Sequence, residues 1–284
     1  MPKPNVVRRT VVWWFQPPSS PFVTVNFSVD ASRARAYLAS LAAGGLRVTV
    51  NHLVAACVAR TLMMHPYANG RVIGQRIVTH PHVGLAMPVN LLDGTGLDRE
   101  ISMAMVTEVD ELTLVELAER SSRTLNAERS GKSETPLIKQ MLGIGNRMPQ
   151  TLFRACLRVV DFGANTPGLG DFFFHKYGVT TALSNVGSTL KAVDGVLFRG
   201  ADVHLPPRLF QVGTFWGTSV VQDEVVPVDG VPTVRPMLPV LFLFDHRLVD
   251  GVRGSRMVRT FSEALQNPAE HFGDDGRRRI GALD

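Results

Sequence analysis

The stretch from 239 to 251 decides how this chain folds, and it reads Pro-Val-Leu-Phe-Leu-Phe-Asp-His-Arg-Leu-Val-Asp-Gly. Its apolar part, Val240–Phe244, predicts a buried strand, and the residues from Gly251 onwards have the periodicity of a helix. His246 therefore lies where a strand ends in a polar turn. An imidazole has an unperturbed pKa of about 6.5, so a histidine presented in this way can act as a general base. Asp250 is either a carboxylate that holds this ring or the N-cap of the helix.

Elsewhere helical and extended patterns alternate without a long linker or an internal repeat. Strands are predicted at 23–27, 71–77, 83–89, 179–185, 209–218, 219–226 and 233–244. Helices are predicted at 34–41 with Asp30 as a cap, and at 49–64, 112–130, 149–162 and 251–265. Apolar residues surround nearly the whole of 49–64, which is typical of a helix buried in the core. The pattern indicates an α/β protein.

This order of segments resembles the family of chloramphenicol acetyltransferase and the dihydrolipoamide acyltransferases, which are the catalytic domains of 2-oxo acid dehydrogenase complexes. In that family Asp-His-Arg-x-x-Asp-Gly leads into a helix and an Asn-Pro pair, here Asn267-Pro268. Three more segments match in the family's order: 51–69 with its His-Pro-x-x-Asn turn, Val83-Gly84-Leu85-Ala86 before Pro88, and Thr180-Thr181-Ala182-Leu183-Ser184-Asn185-Val186-Gly187. The resemblance implies a single-domain, two-layer α/β sandwich in which helices pack on one face of a mixed sheet. The catalytic domain would occupy 1–284, with 269–284 as either a C-terminal assembly tail or a frayed end.

The same resemblance implies the roles of the site residues. His246 would be the general base that removes a thiol proton, and Ser184 would donate a hydrogen bond to the oxyanion of the tetrahedral intermediate. Asp250 would hold the active-site loop by pairing with an amino-terminal arginine, for which Arg9 or its neighbour Arg8 is the candidate. Gly251 and Asn185 would shape the two turns. Taken without the resemblance, Ser184 is an ordinary hydroxyl at the end of a strand.

Two classes of function follow from the resemblance. The first is a stand-alone acyltransferase that uses coenzyme A as a substrate or accepts acyl groups from a lipoyl-bearing partner protein. The second is a non-catalytic scaffold that forms a trimer-based assembly core. Family members form homotrimers in which the base of one subunit faces the serine of the next. No Lys follows an Asp in this chain, so we expect no covalently bound lipoate on it.

The composition of the chain argues against several other classes of protein. The 30 Lys and Arg residues are dispersed and are not interleaved with aromatic residues, which argues against a nucleic-acid-binding protein. The net charge of +5 suits an anionic ligand such as coenzyme A. No apolar run approaches the roughly 18 residues of a membrane span, and no signal peptide is recognisable, so we expect a cytoplasmic protein. Cys57 and Cys156 lie in apolar helical segments without ligand spacing, and we expect no metal site.

One segment is longer than the family pattern leads us to expect. Residues 132–177 separate the central helix from the strand that carries Ser184. They include a Gly/Pro loop at 163–170 and the apolar cluster Phe172-Phe173-Phe174. An added helix here would cover an acyl pocket, make a subunit contact, or simply pack on the core.

Overall fold

Helices and strands alternate along the part of the chain that the computed structural model describes, which is residues 21–92, 98–130, 149–185, 196–203 and 211–282. Arg9, Gly131 and Gly187 lie outside these ranges. In chain order the elements are β1 Phe22–Asp30, α1 Ser32–Ala43, α2 Val50–Met64, β2 Gly70–Ile73, β3 Arg76–Thr79, β4 Leu85–Leu92, β5 Asp98–Val106, α3 Leu114–Arg129, α4 Gln150–Asn165, α5 Leu169–Tyr177, β6 Thr181–Asn185, β7 Thr214–Thr218, β8 Gln222–Val228, β9 Val231–Asp245, α6 Gly251–Gln266 and α7 Pro268–Phe272.

Seven strands of the described ranges form one mixed sheet in the order β1-β9-β7-β6-β4-β5, with β8 paired to the first half of β9. β6 runs parallel to β4 and to β7, whereas the other neighbours are antiparallel. β9 is the longest strand, and its second half is paired on both sides, by β1 and by β7. An apolar run fits this place because a central strand is covered on both faces. The predicted mixed sheet is confirmed.

The helices pack on one face of this sheet, as predicted. Alternate residues of β9 point to opposite faces, and those from Val240 to Phe244 with even numbers join the main core formed with the helices. The indole of Trp216 stacks on Phe242 with ring centroids 4.1 Å apart, and on Phe261 of α6 at 4.9 Å. Leu241 and Leu243 belong to a smaller cluster on the other face. None of the helices in the described ranges has the length and apolar character needed to cross a membrane.

The capping residues explain where the predicted helices begin. Thr49 caps α2, where its hydroxyl accepts the N–H of His52 and its own N–H donates to His52 Nδ1. α2 is buried along most of its length, which confirms the core helix. Asp30 is not the N-cap of α1, because it is the last residue of β1 and Ala31 takes the cap position. The Asp30 carboxylate instead accepts the N–H of Ser32 at 2.8 Å.

Three elements differ from the sequence-based prediction. The single strand expected at 71–77 is the hairpin of β2 and β3, because Gly74 and Gln75 both have positive φ and form a two-residue turn. β5 was not predicted, because its sequence begins with charged residues. The Gly/Pro loop expected at 163–170 is reduced to 166–168, because α4 continues to Asn165 and α5, which carries the aromatic cluster, begins at Leu169.

The carboxyl-terminal segment packs on its own chain. Ile280 is fully buried, and its N–H donates to the carbonyl of Leu112 at 2.9 Å. The Arg60 guanidinium donates to the carbonyls of Ile280 at 3.3 Å and Ala282 at 2.6 Å. The carboxyl-terminal segment is therefore packed, and not frayed, as far as Ala282. The assembly role of 269–284 stays a prediction.

Candidate active site

His246 is the first residue beyond the central strand β9. Its backbone N–H donates to the carbonyl of Pro21 at 2.7 Å, which anchors the start of the turn to the segment before β1. The imidazole is half-buried, and its centroid lies 6.3 Å from the ring of Phe244. The ring is therefore held at the end of the sheet, where the sequence placed it.

A buried ion pair fixes the turn that carries His246. The Arg247 guanidinium donates through Nε to Asp245 Oδ1 at 2.9 Å and through Nη2 to Asp245 Oδ2 at 2.6 Å. Both side chains are buried, and the N–H of Arg247 also donates to Asp245 Oδ1 at 2.9 Å. Bidentate pairs of this kind have a fixed geometry. The residues on either side of His246 are thus locked to each other.

Close packing with distant residues sets the position of the same turn. The N–H of Asp245 donates to the carbonyl of Gly213 at 2.9 Å. A Cβ on Gly213 would lie 2.1 Å from the carbonyl oxygen of Gly70 and 2.7 Å from Leu248 Cδ1, so only glycine fits there. At Gly251 a Cβ would meet no atom within 4 Å. Packing therefore does not demand glycine at Gly251, and its loop-orienting role stays a prediction.

Asp250 is the N-cap of α6, which is one of the two alternatives left open by the sequence. Its Oδ1 accepts the N–H of Arg253 at 2.9 Å, and its Oδ2 lies 3.8 Å from Arg253 Nε. The Arg253 guanidinium lies 4.7 Å above the ring of Tyr67. The pairing of Asp250 with Arg9 cannot be compared with the structure, because Arg9 is outside the described residues.

A network around His65 braces the same helix, and the sequence did not reveal it. The Tyr67 hydroxyl is 2.9 Å from His65 Nδ1, and Thr260 Oγ1 of α6 is 2.9 Å from His65 Nε2. Burial lowers the pKa of His65, and the nearby Arg256 and Arg259 lower it further. His65 is therefore neutral at pH 7, and its two ring nitrogens connect the end of α2 to α6.

Ser184 lies on β6, on the sheet face opposite to the helices. Leu183 points into the main core and Ala182 into the smaller cluster, so the alternation of the strand places Ser184 on the side of Ala182. Asn185 points the other way, and its amide donates to Asn51 Oδ1 near the start of α2. This contact fixes the end of the strand, and the turn-shaping role of Asn185 stays a prediction.

A single chain does not bring His246 and Ser184 together. Ser184 is opposite Gly217 on β7, and Gly217 is opposite Leu241 on β9, whereas His246 follows Asp245 at the far end of β9. Five residues along a strand and two strand spacings give a separation of roughly 17 Å along the sheet and about 10 Å across it. The two predicted catalytic residues lie at opposite ends of the sheet.

One group of metal-ligating side chains occurs among the described residues. His82 Nδ1 lies 3.0 Å from Asp110 Oδ2 and 3.8 Å from Glu111 Oε1. Asp110 is buried and its Oδ1 accepts the N–H of Val83 at 2.6 Å, while Glu111 is paired with Arg279 at 2.9 Å. The hydrogen bond to Asp110 raises the pKa of His82. Protein groups already satisfy these atoms, so we assign no metal to them.

Comparison with known proteins identifies similar sequences. Residues 15–139 and 212–272 match the sequence model described as 2-oxoacid dehydrogenases acyltransferase (catalytic domain). The dihydrolipoyllysine-residue acetyltransferase component of the acetoin cleaving system of Bacillus subtilis (strain 168) is 24% identical over 227 residues, which is 79% of this chain and 43% of that protein. The dihydrolipoyllysine-residue succinyltransferase component of the mitochondrial 2-oxoglutarate dehydrogenase complex of Mus musculus is 34% identical over 91 residues, which is 32% of this chain and 18% of that protein. This chain spans less than half the length of these relatives.

Solved structures share the fold. The cubic core of the pyruvate dehydrogenase multienzyme complex superimposes with a TM-score of 0.57 at 19% identity, covering 93% of this chain and 87% of that one. Chloramphenicol acetyltransferase superimposes with a TM-score of 0.53 at 13% identity, covering 93% and 95%. The architecture predicted from the sequence is therefore confirmed.

Proposed function

Because the chain belongs to the family of 2-oxoacid dehydrogenase acyltransferase catalytic domains, we propose that it moves an acyl group between a thioester donor and an acceptor. The donor or acceptor thiol would be coenzyme A or a lipoyl group on a partner protein. The observation that carries this proposal is the position of His246, held at the end of the central strand by the turn that the Asp245–Arg247 pair locks. A general base must lie within hydrogen-bond reach of the proton that it removes, and only then does its pKa affect the rate.

In this mechanism His246 takes the proton from the attacking thiol. A free thiol has a pKa of about 8.5 and is only slightly ionised at pH 7, so the step needs a base within hydrogen-bond reach. The thiolate adds to the acyl carbonyl carbon and forms a tetrahedral intermediate whose oxyanion accepts a hydrogen bond from Ser184. The intermediate collapses when the bond to the first sulfur breaks, and the departing thiolate takes the proton back from His246.

This chemistry requires a site shared between two subunits. His246 and Ser184 lie at opposite ends of one sheet, too far apart to act on the same carbonyl within one chain. Ser184 also lies on the face opposite to the main helical core and is itself partly exposed, so a second subunit can contact it. We therefore propose a homotrimer in which the His246 end of one subunit faces Ser184 of the next, as in the family that the chain resembles.

The test is thiol release from a panel of acyl-coenzyme A donors by the wild-type protein and by His246→Ala. We expect the variant to lose at least about 100-fold in acyl-transfer rate while it keeps the oligomeric mass. A matched control is His271→Ala on α7, which should retain the wild-type rate.

Two results would contradict the proposal. Near wild-type turnover by His246→Ala with every donor would remove the histidine from the mechanism. An intact wild-type trimer that turns over no donor, whether coenzyme A or lipoyl-linked, would favour the non-catalytic scaffold.

A further inference from the structure

Arg71 of β2 directs a buried guanidinium at the end of α4. Its Nη2 donates to Asn165 Oδ1 at 2.8 Å and to the carbonyl of Ala164 at 3.2 Å. These two residues end α4, where carbonyl groups lack partners within the helix and the helix dipole favours a positive charge. The amide of Asn165 in turn donates to Asp161 Oδ1 at 3.1 Å. Arg71 therefore holds the last turn of α4 against the strand.

The hydrogen bonds of Arg71 are difficult to replace, because this side chain is only 7% exposed. Its Nε is also buried and has no hydrogen-bond partner among the residues that the structure describes. Burial is the main cause that lowers the pKa of Arg71, and the positive charge of Arg247 lowers it further, whereas the Asp161 carboxylate raises it. A buried guanidinium that loses an acceptor still carries its desolvation cost, so loss of the Asn165 oxygen would force Arg71 to move towards another acceptor.

The residues 149–177, which we call the α4–α5 segment, pack closely on the hairpin that contains Arg71. A Cβ on Gly170 would lie 2.9 Å from Ile73 Cγ2, and a Cβ on Gly74 would lie 2.5 Å from Pro167 Cγ. Close-packed groups transmit a displacement to their neighbours. A shift of the α4–α5 segment therefore also shifts β2.

The residue before Arg71 contacts the turn that carries His246. A Cβ on Gly213 would lie 2.1 Å from the carbonyl oxygen of Gly70. The carbonyl of Gly213 accepts the N–H of Asp245 at 2.9 Å, and His246 follows Asp245 directly. The contacts therefore run without a gap from the end of α4, through Arg71 and Gly70, to the residue next to His246.

We propose that Arg71 is a positioning residue for His246, because its hydrogen bond to Asn165 fixes β2 against the turn that carries the base. Arg71 itself does not touch the reacting atoms. The α4–α5 segment lies outside the residues that match the family model, 15–139 and 212–272, so a part of the chain that the model does not cover sets the position of the base. This inference rests on the proposed function, in which His246 removes the thiol proton.

A small displacement of the base is enough to change the rate. A general base acts within hydrogen-bond reach of the proton that it removes, and a misplacement of about 1 Å costs about 100-fold in rate. Loss of one acceptor of Arg71 should displace the turn by less than this, so we expect kcat to fall about tenfold in Asn165→Ala. KM should stay within about twofold of the wild-type value, because the variant removes no group that contacts the substrate.

Two matched variants separate the contact with Arg71 from the other contacts of the α4–α5 segment. Asn165→Asp keeps an oxygen that accepts from Arg71 but loses the amide that donates to Asp161, and it should keep kcat within about twofold of the wild-type value. Arg76→Gln removes the exposed pair with Asp171, which attaches α5 to the same hairpin. This control should keep the wild-type kcat, since exposed ion pairs contribute little.

Amide hydrogen exchange tests the position of the turn without any substrate. In Asn165→Ala the N–H of Asp245 should exchange about tenfold faster, because its hydrogen bond to the carbonyl of Gly213 opens more often. The N–H of Val115, which donates to the carbonyl of Gly276 in another part of the fold, should keep its wild-type exchange rate. A general loss of stability would accelerate both amides alike.

Three results would overturn the proposal. They are wild-type kcat in Asn165→Ala, an equal loss of kcat in Asn165→Ala and Asn165→Asp, and exchange that accelerates equally at Asp245 and Val115. If the wild type turns over no donor, acyl transfer fails as the function. The exchange experiment then still decides whether Arg71 positions the turn.

Discussion

Mixing two inactive variants tests whether the site is shared. His246→Ala removes the base and Ser184→Ala removes the oxyanion donor, and each homotrimer should be nearly inactive. Within one chain the two residues are separated by roughly 17 Å along the sheet and about 10 Å across it, from the strand register. If the site lies between subunits, some interfaces of a mixed trimer combine an intact base with an intact serine.

The size of the recovery can be worked out for random assembly. In an equal mixture, half of the subunits supply an intact base and the other half supply an intact serine. An interface is active when its base comes from a Ser184→Ala chain and its serine from a His246→Ala chain, which happens in about one quarter of interfaces. The mixture should therefore regain about 25% of wild-type activity.

The assay is thiol release after the two proteins are dissociated, mixed and reassembled, with mass spectrometry to show that mixed trimers formed. The control is an equal mixture of wild type with a chain that carries both substitutions. A shared site predicts about 25% of wild-type activity for this control, whereas a site within one chain predicts about 50%.

No recovery in demonstrably mixed trimers, together with half activity in the control, would refute the shared site. Each chain would then have to bring its two residues together by a large rearrangement of the sheet, and the proposed roles of His246 and Ser184 would fail as a pair.

Three further predictions follow from the structure. Ser184→Ala should lower kcat more than it raises KM, because a donor to the oxyanion acts mainly in the transition state; steady-state kinetics with saturating acyl donor measures this. Arg247→Met should lower the free energy of unfolding, measured in urea, by about 3–5 kcal/mol because it leaves the buried Asp245 carboxylate unpaired. The double variant Arg247→Met with Asp245→Asn should lose less free energy of unfolding than the two single variants lose together. The hydrogen bond to Asp110 raises the pKa of His82, so the pair stabilises the fold fully below about pH 6.5 and loses this contribution as pH rises through the raised pKa. The stability difference between wild type and His82→Asn should therefore shrink from acidic to alkaline pH, and a constant difference would contradict the pairing.

The strand that carries His246 could be predicted because its signal is local. An apolar run followed by a polar turn and a helical pattern describes one continuous segment, and β9, the turn and α6 follow it closely. The capped core helix α2 was predictable for the same reason. The hairpin of β2 and β3 was missed because 71–77 was read as one strand that continued through Gly74-Gln75, and the positive φ angles of these two residues show the turn.

Local sequence patterns could not predict contacts between distant parts of the chain. His82 and Asp110 are 28 residues apart, and neither flanking sequence indicates that they meet. The exposed apolar side of α4 looks like a core-facing stripe in the sequence, and only the packing of the helix shows which part of it stays exposed.

The sequence by itself determined the α/β class, the position of His246 at the end of a buried strand and, through a resemblance, the family. These properties depend on residues that are neighbours in the chain, whose periodicity and capping can be read directly. Only the tertiary structure decided that Ser184 and His246 lie at opposite ends of one sheet, and that Asp245 and Arg247 form a buried ion pair. The reason is physical: strand order and register arise from the packing of the whole domain, and no single segment carries that information.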